Sequence, residues 1–143
     1  MRRCVKPAVT WSPERDAHLW VRFRLQAHHL QAQQVERRFE EAARLWVELT
    51  AIAARHKLAE RTISALYAAA QRHLRRTVYA RDEDLTRDQS VRDLQLLKRL
   101  DLIEPVGYGR TQRYIGGTEI RRLARAVHES VFEQFLREPY PEP

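Results

Sequence analysis

One cysteine, Cys4, stands in a chain of 143 residues, so no disulfide can close within it and no paired-cysteine zinc motif is available. Of the six histidines only His28 and His29 are adjacent, and adjacent residues on a helix point about 100° apart, which makes no metal site. Nowhere do about eighteen apolar residues run together, and Met1-Arg2-Arg3 leads into no apolar stretch, so neither a membrane-spanning helix nor a signal peptide is expected. GxxxxGK[ST], GxSxG and HExxH are all missing, and with them the phosphate-cradling, acyl-transfer and zinc-protease chemistry that those spacings serve. These absences predict a cytoplasmic chain with no metal, no cofactor and no catalysis of its own.

What the chain has is arginine. Lys and Arg together number 26 against 19 Asp and Glu, giving a formal net charge of +7 and a pI near 10.2. Arg pairs bidentately with phosphate and with guanine, so the surplus points first to nucleic acid, although a GC-rich genome also enriches arginine. At 43% hydrophobic residues there is enough apolar surface for one small domain with a helical extension.

From Thr86 to Gly117 the pattern is the most informative. Val91, Leu94, Leu97 and Leu100 recur every three residues, which sets an apolar stripe on one side of a helix. Asp88, Arg92, Gln95 and Arg99 fall opposite, with Gln89 beside them, a cation and amide face suited to a groove. The helix is expected to end near Asp101, because Pro105 is excluded from a helix interior and Gly107 and Gly109 supply turn geometry. A hairpin follows, with arms Leu102 to Val106 and Gln112 to Ile115 and with Arg110 and Arg113 at its tip and return. A helix followed by a small basic hairpin is the layout of a winged helix. On this reading Gln89 and Arg92 read base edges of double-stranded DNA, Gln95 and Arg99 support them, Thr86 and Arg87 meet phosphate, and Arg110 with Arg113 makes the wing contact. Arg92 and Asp93 also admit a plainer reading, a solvated ion pair of little energy.

Upstream, Ser12 offers a cap, Pro13 suits a first helical position, and no Gly or further Pro appears before Arg55. Val35, Phe39, Ala42, Trp46, Leu49 and Ala53 make a heptad-like seam, and Leu19, Phe23 and Leu30 make an earlier patch. The run is expected either to break near His28 to Gln34 and fold back or to stay extended and pair with another chain. Trp11, Trp20 and Trp46 are assigned to core or dimer packing, with a ligand pocket as the alternative. After Leu58, Ala59 to His73 is the expected first helix of the winged domain, with Ile63, Leu66, Tyr67 and Ala70 inward. Thr77 would cap a second helix, Val78 to Asp84. Thr118 would cap a last one, with Ile120, Leu123, Val127, Val131 and Phe135 on one side, ended by Pro139. Arg72, Arg75 and Arg76, and Arg121, Arg122 and Arg125, form two further basic groups that flank the groove face in sequence order.

Ser90, Arg92-Asp93-Leu94, Leu97, Leu102-Ile103, Gly107, Gly109-Arg110 and Tyr114 together resemble the winged helix-turn-helix at the C-terminal end of many Fic (Fic/Doc) family proteins. Trp20 to Trp46 and Ala59 to Ala70 resemble the helices that precede it in those proteins, so the resemblance covers nearly residues 18 to 117. Asp101 stands where that pattern usually has Gly. The HPFxxGNGR loop of Fic catalysis has no counterpart here, so the resemblance implies a winged domain without the catalytic core.

The chain then divides into a loose arm (1–11), a long helix or helical hairpin for dimer or partner packing (12–57), a winged helix-turn-helix domain (58–117), a C-terminal helix (118–137) and a tail (138–143). The expected fold is mainly α with a two-stranded β wing. The expected function is that of a bacterial transcription regulator that binds DNA as a homodimer through the arm and the C-terminal helix. Two alternatives stand beside it. One is a non-catalytic Fic-family fragment that docks a protein partner. The other is a MarR-like repressor responding to a small-molecule effector that the sequence does not identify.

Overall fold

The structure of the protein is a computed structural model that describes residues 17–134. Cys4, Trp11, the Ser12 cap, the Pro13 start, Phe135 and the tail lie outside the described residues. The fold is mainly α, with a long first helix, a two-stranded antiparallel sheet and a closing helix. The elements run α1 (His18–Arg55), α2 (Thr62–Ala70), α3 (Arg76–Asp82), α4 (Arg87–Arg99), β1 (Ile103–Val106), a 3-10 turn (Gly109–Thr111), β2 (Arg113–Gly116) and α5 (Thr118–Gln134).

α1 is continuous for 38 residues, about 57 Å at 1.5 Å per residue, and does not break at His28 to Gln34. That stretch is His, Leu, Gln and Ala with no Gly or Pro, so nothing in it favours a bend over a further helical turn. Its buried residues, Leu45, Leu49, Ile52 and Ala53, all belong to the last third. From Arg37 to Arg55 α5 packs against it antiparallel: Arg55 pairs with Glu119, His128 Nδ1 stands 3.1 Å from Glu41 Oε1, and the Arg37 guanidinium lies over the Phe132 ring at 5.3 Å. Toward the N-terminus Leu19, Trp20, Phe23, Leu25, Val35 and Phe39 remain exposed.

The core gathers between α1, α2, α4, the strands and α5 around Leu49, Leu66, Leu97, Leu102, Ile103 and Ile120. β1 and β2 pair from Ile103 opposite Gly116 to Val106 opposite Arg113. Sequence reasoning missed a third short edge: the Tyr114 N–H donates to the Leu74 carbonyl at 2.8 Å, a bridge between α2 and α3 that ties the wing to the helices. Helix, bridge, helix, helix, hairpin is the order of a winged helix-turn-helix.

Several boundaries differ from expectation. α2 begins at Thr62 rather than Ala59, α3 begins at Arg76 so that Thr77 lies within it and caps nothing, and the Gly117 carbonyl rather than Thr118 opens the α5 ladder by accepting from the Arg121 N–H at 2.9 Å. The chain's four glycines all fall between 107 and 117, so α1 to α4 must end without one. Each does so by putting an ordinary residue into left-handed backbone: Lys57 (φ 54°), Arg72 (φ 62°), Asp84 (φ 50°) and Asp101 (φ 55°). After α4 the Leu102 N–H reaches the Leu97 carbonyl at 3.0 Å and the Asp101 N–H reaches that of Lys98 at 3.1 Å, the paired bonds of a Schellman motif. The Asp that stands in place of the resembled family's Gly therefore keeps the turn and carries its strain.

Candidate nucleic-acid interface

α4 is built from the cap inward. The Thr86 hydroxyl accepts from the Gln89 N–H at 3.2 Å, while Gln89 Oε1 accepts from the Thr86 N–H at 2.9 Å, a closed capping box. The side chains expected to touch phosphate (Thr86) and a base edge (Gln89) thus hold each other at the helix start. Arg87, Arg92, Gln95 and Arg99 are exposed, and among the described residues none of the three arginines has an acidic partner. Asp88 shares the exposed first turn, and Lys98 adds a cation that the sequence reading left out.

The buried face is the surprise. Leu94 and Leu97 are buried as expected, but Val91 and Leu100 are only half-buried, and Ser90 and Asp93 fill the rest. Asp93 is no solvated partner of Arg92. Arg61, at the start of α2, donates to it from Nε at 2.8 Å and from Nη2 at 3.1 Å, and the buried Tyr79 hydroxyl of α3 donates at 2.9 Å. One carboxylate therefore ties three helices together. Burial pushes the Asp93 carboxyl up, but the hydrogen bonds from Arg61 and Tyr79 and the Arg61 charge outweigh it and hold the group below the ordinary carboxylate range. The same bond raises Arg61, and Tyr79 is raised by burial and then by its bond to Asp93. The helical wheel could have found this, because Asp93 falls between Leu97 and Leu100 on the stripe side.

In the wing Arg113 is exposed at the start of β2 and Arg110 belongs to the turn Gly109–Thr111, with its side chain outside what the structure describes. Tyr108, which sequence reasoning passed over, is 94% exposed at the tip. The base of the wing is fixed by Arg121 of α5, bidentate on Glu104 of β1 at 2.9 and 3.1 Å. Arg72 meets Arg121, Arg122 and Arg125 around a cavity of about 390 Å³, so members of the two outlying basic groups converge, while Arg75 and Arg76 sit at the start of α3. Trp20 and Trp46 lie about 39 Å apart along α1 at 1.5 Å per residue and cannot line one pocket. Trp46 instead meets Tyr67 at 5.7 Å between ring centroids.

Among the described residues no group of three His, Cys, Asp or Glu could hold a metal ion, and no helix is long and apolar enough to cross a membrane. The element order is that of a winged helix-turn-helix with a long helical arm. Neither a protein-family model nor a curated protein matches the chain.

Proposed function

We propose that the protein binds duplex DNA through α4 and the wing, as a cytoplasmic homodimer that regulates transcription. The observation that supports this best is the exposed face of α4, where Arg87, Arg92 and Arg99 stand beside Gln95 with no acidic partner among the described residues, followed directly by a hairpin with exposed Arg113. Guanidinium groups left unpaired on a helix that can enter the major groove match base edges and phosphates. Because the capping box occupies Thr86 and Gln89, Arg92 and Gln95 carry the base contacts, and Arg87 and Arg113 the phosphate contacts. The resemblance to the Fic-type winged domain agrees with this reading.

Fluorescence anisotropy on random duplex DNA tests it, at about 50 and 200 mM salt. Affinity should fall by roughly 10³-fold or more between the two if about six phosphates are engaged. In operator DNA, Arg92→Ala should cost about 1–3 kcal/mol and relax one base position. No binding at the lower salt refutes the proposal. A second reading, docking of a protein partner by a non-catalytic Fic-type chain, is favoured by Leu19, Phe23 and Leu30, exposed on the α1 side that meets α5 farther along. A heteromeric complex dissolved by Phe23→Glu would support it.

A further inference from the structure

The heptad seam does not stop where the core stops. In register with buried Leu49 and Ala53, the same seven-residue spacing continues backward through Trp46 and Ala42 to Phe39, Val35, Ala32, His28, Leu25 and Val21. Leu25, Val35 and Phe39 are 55, 51 and 72% exposed, so the seam leaves the domain and runs out along the arm uncovered. A stripe at this spacing is the packing face of a two-stranded coiled coil.

We propose that α1 covers this seam with α1 of a second copy, antiparallel, in the register that sets Ala32 of one copy opposite Val35 of the other. Size and charge both select this arrangement. It pairs Leu25 with Ala42, Phe39 with His28 and Trp46 with Val21 of the second copy, so each layer sets a large side chain against a smaller one. A parallel pair would instead stack Trp46 on Trp46 and Phe39 on Phe39, with Ala42 on Ala42 between, alternating overfilled and empty layers. On the flanks, the proposed register brings Glu36 to His29 and Arg38 to Gln31 of the second copy. A shift of one heptad in one direction sets Arg24 against Arg38, which offsets its pairing of Arg22 with Glu36, and moves Trp46 past Val21. A shift in the other sets Glu36 against Glu36 and Arg38 against Arg38, and like charges at these positions are unfavourable. The seam residues are exposed apart from half-buried Ala42, so a second helix can approach without unfolding the domain.

This inference deepens the dimer part of the reading above, and its test uses no DNA, so its failure leaves DNA binding standing and failure to bind DNA leaves it standing. In a Cys4→Ser background, Leu25→Cys, Ala42→Cys and the double variant are oxidised and run without reductant, and the parent protein is sedimented alongside. Residues 25 and 42 lie about 26 Å apart on one helix at 1.5 Å per residue, too far for a bond within one chain. The expected result is a dimer in sedimentation that Phe39→Glu weakens at least ten-fold. A covalent dimer is expected from the double variant and from the mixed single variants, but from neither single variant alone. A covalent dimer from Leu25→Cys alone would show a parallel pair and overturn the proposal. A monomer at micromolar concentration, or a dimer that none of these cysteines links, would overturn it too.

Discussion

Replacing Arg61 by alanine tests the tie that seats α4. The Asp93 side chain is 10% exposed and that of Arg61 39%, so the pair lies between a surface ion pair, worth about 0–1 kcal/mol, and a fully buried one, whose rupture costs about 3–5 kcal/mol. The substitution removes two charge-assisted hydrogen bonds and leaves a largely buried carboxylate with the Tyr79 hydroxyl alone. A loss of about 2–3 kcal/mol follows at neutral pH. At about 2–4 °C per kcal/mol for a chain of this size, Tm should fall by roughly 8 °C. The pH dependence carries the diagnosis. In the parent protein the Asp93 carboxyl is held below its unfolded value, so its contribution is full above about pH 4 and is lost as pH falls through the folded pKa. In Arg61→Ala the burial that already pushes the carboxyl up is no longer outweighed. The folded protein then takes up a proton more readily than the unfolded chain, and the penalty shrinks as pH drops. Urea unfolding of both proteins at pH 7 and pH 4.5 should therefore show a stability gap that narrows with acid. A gap under about 0.5 kcal/mol at pH 7, or one that widens with acid, refutes the account.

Three further outcomes follow from the backbone and the cap. Asp101→Gly should stabilise the protein by about 0.5–1 kcal/mol in urea unfolding, because it removes the left-handed cost at the end of α4 while leaving the Schellman bonds intact. Gly117→Ala should be severely destabilising, by about 3 kcal/mol or more, because a Cβ there would lie 1.9 Å from the Asp101 carbonyl oxygen. Gly109→Ala meets no atom within 4 Å and should cost only about 1 kcal/mol for its φ of 60°, so comparable losses at the two sites would contradict the packing argument. Thr86→Ala should cost about 1 kcal/mol in thermal melts through the lost cap; an unchanged Tm would mean that the capping box does not hold α4.

The parts of this structure legible in the sequence are those set by periodicity and by strong local signals. The stripe through Leu94 and Leu97, the Pro105 and Gly107 punctuation and the break at Gly116-Gly117 placed α4, the hairpin and α5 within a few residues of where they stand. What was hidden depends on partners far away in the chain. The wheel sets Asp93 on the stripe side, but nothing local names its partners; only the approach of Arg61, 32 positions earlier, and Tyr79, 14 earlier, makes it a buried acceptor. The Leu74 bridge was hidden in the same way, because a single backbone pairing leaves no alternation to read. The capping box at Gln89 was hidden for a different reason. A residue at the third position of a helix beginning with Thr can point outward or close the capping box, and the spacing is the same for both.

That ambiguity bears on how α4 would read DNA. A glutamine that accepts from the Thr86 N–H gains a bond at the helix start, and turning it toward a base gives up that bond and returns an amide to water or phosphate. Arg92 and Gln95 give up no such contact, since among the described residues no hydrogen bond or ion pair ties their exposed side chains. The tie from Asp93 to Arg61 and Tyr79 meanwhile fixes the helix that carries them, one residue from Arg92 and about 100° around the helix from it. If the proposed reading holds, specificity on this surface would depend on a buried contact that never meets the DNA. Tyr79→Phe, which removes one hydrogen bond and leaves every exposed side chain in place, should lower operator affinity measurably while leaving the salt slope of binding unchanged, because the number of phosphates engaged stays the same. An unchanged affinity would show that α4 keeps its seat without the bond, and a changed slope would show that the bond alters which phosphates the protein meets.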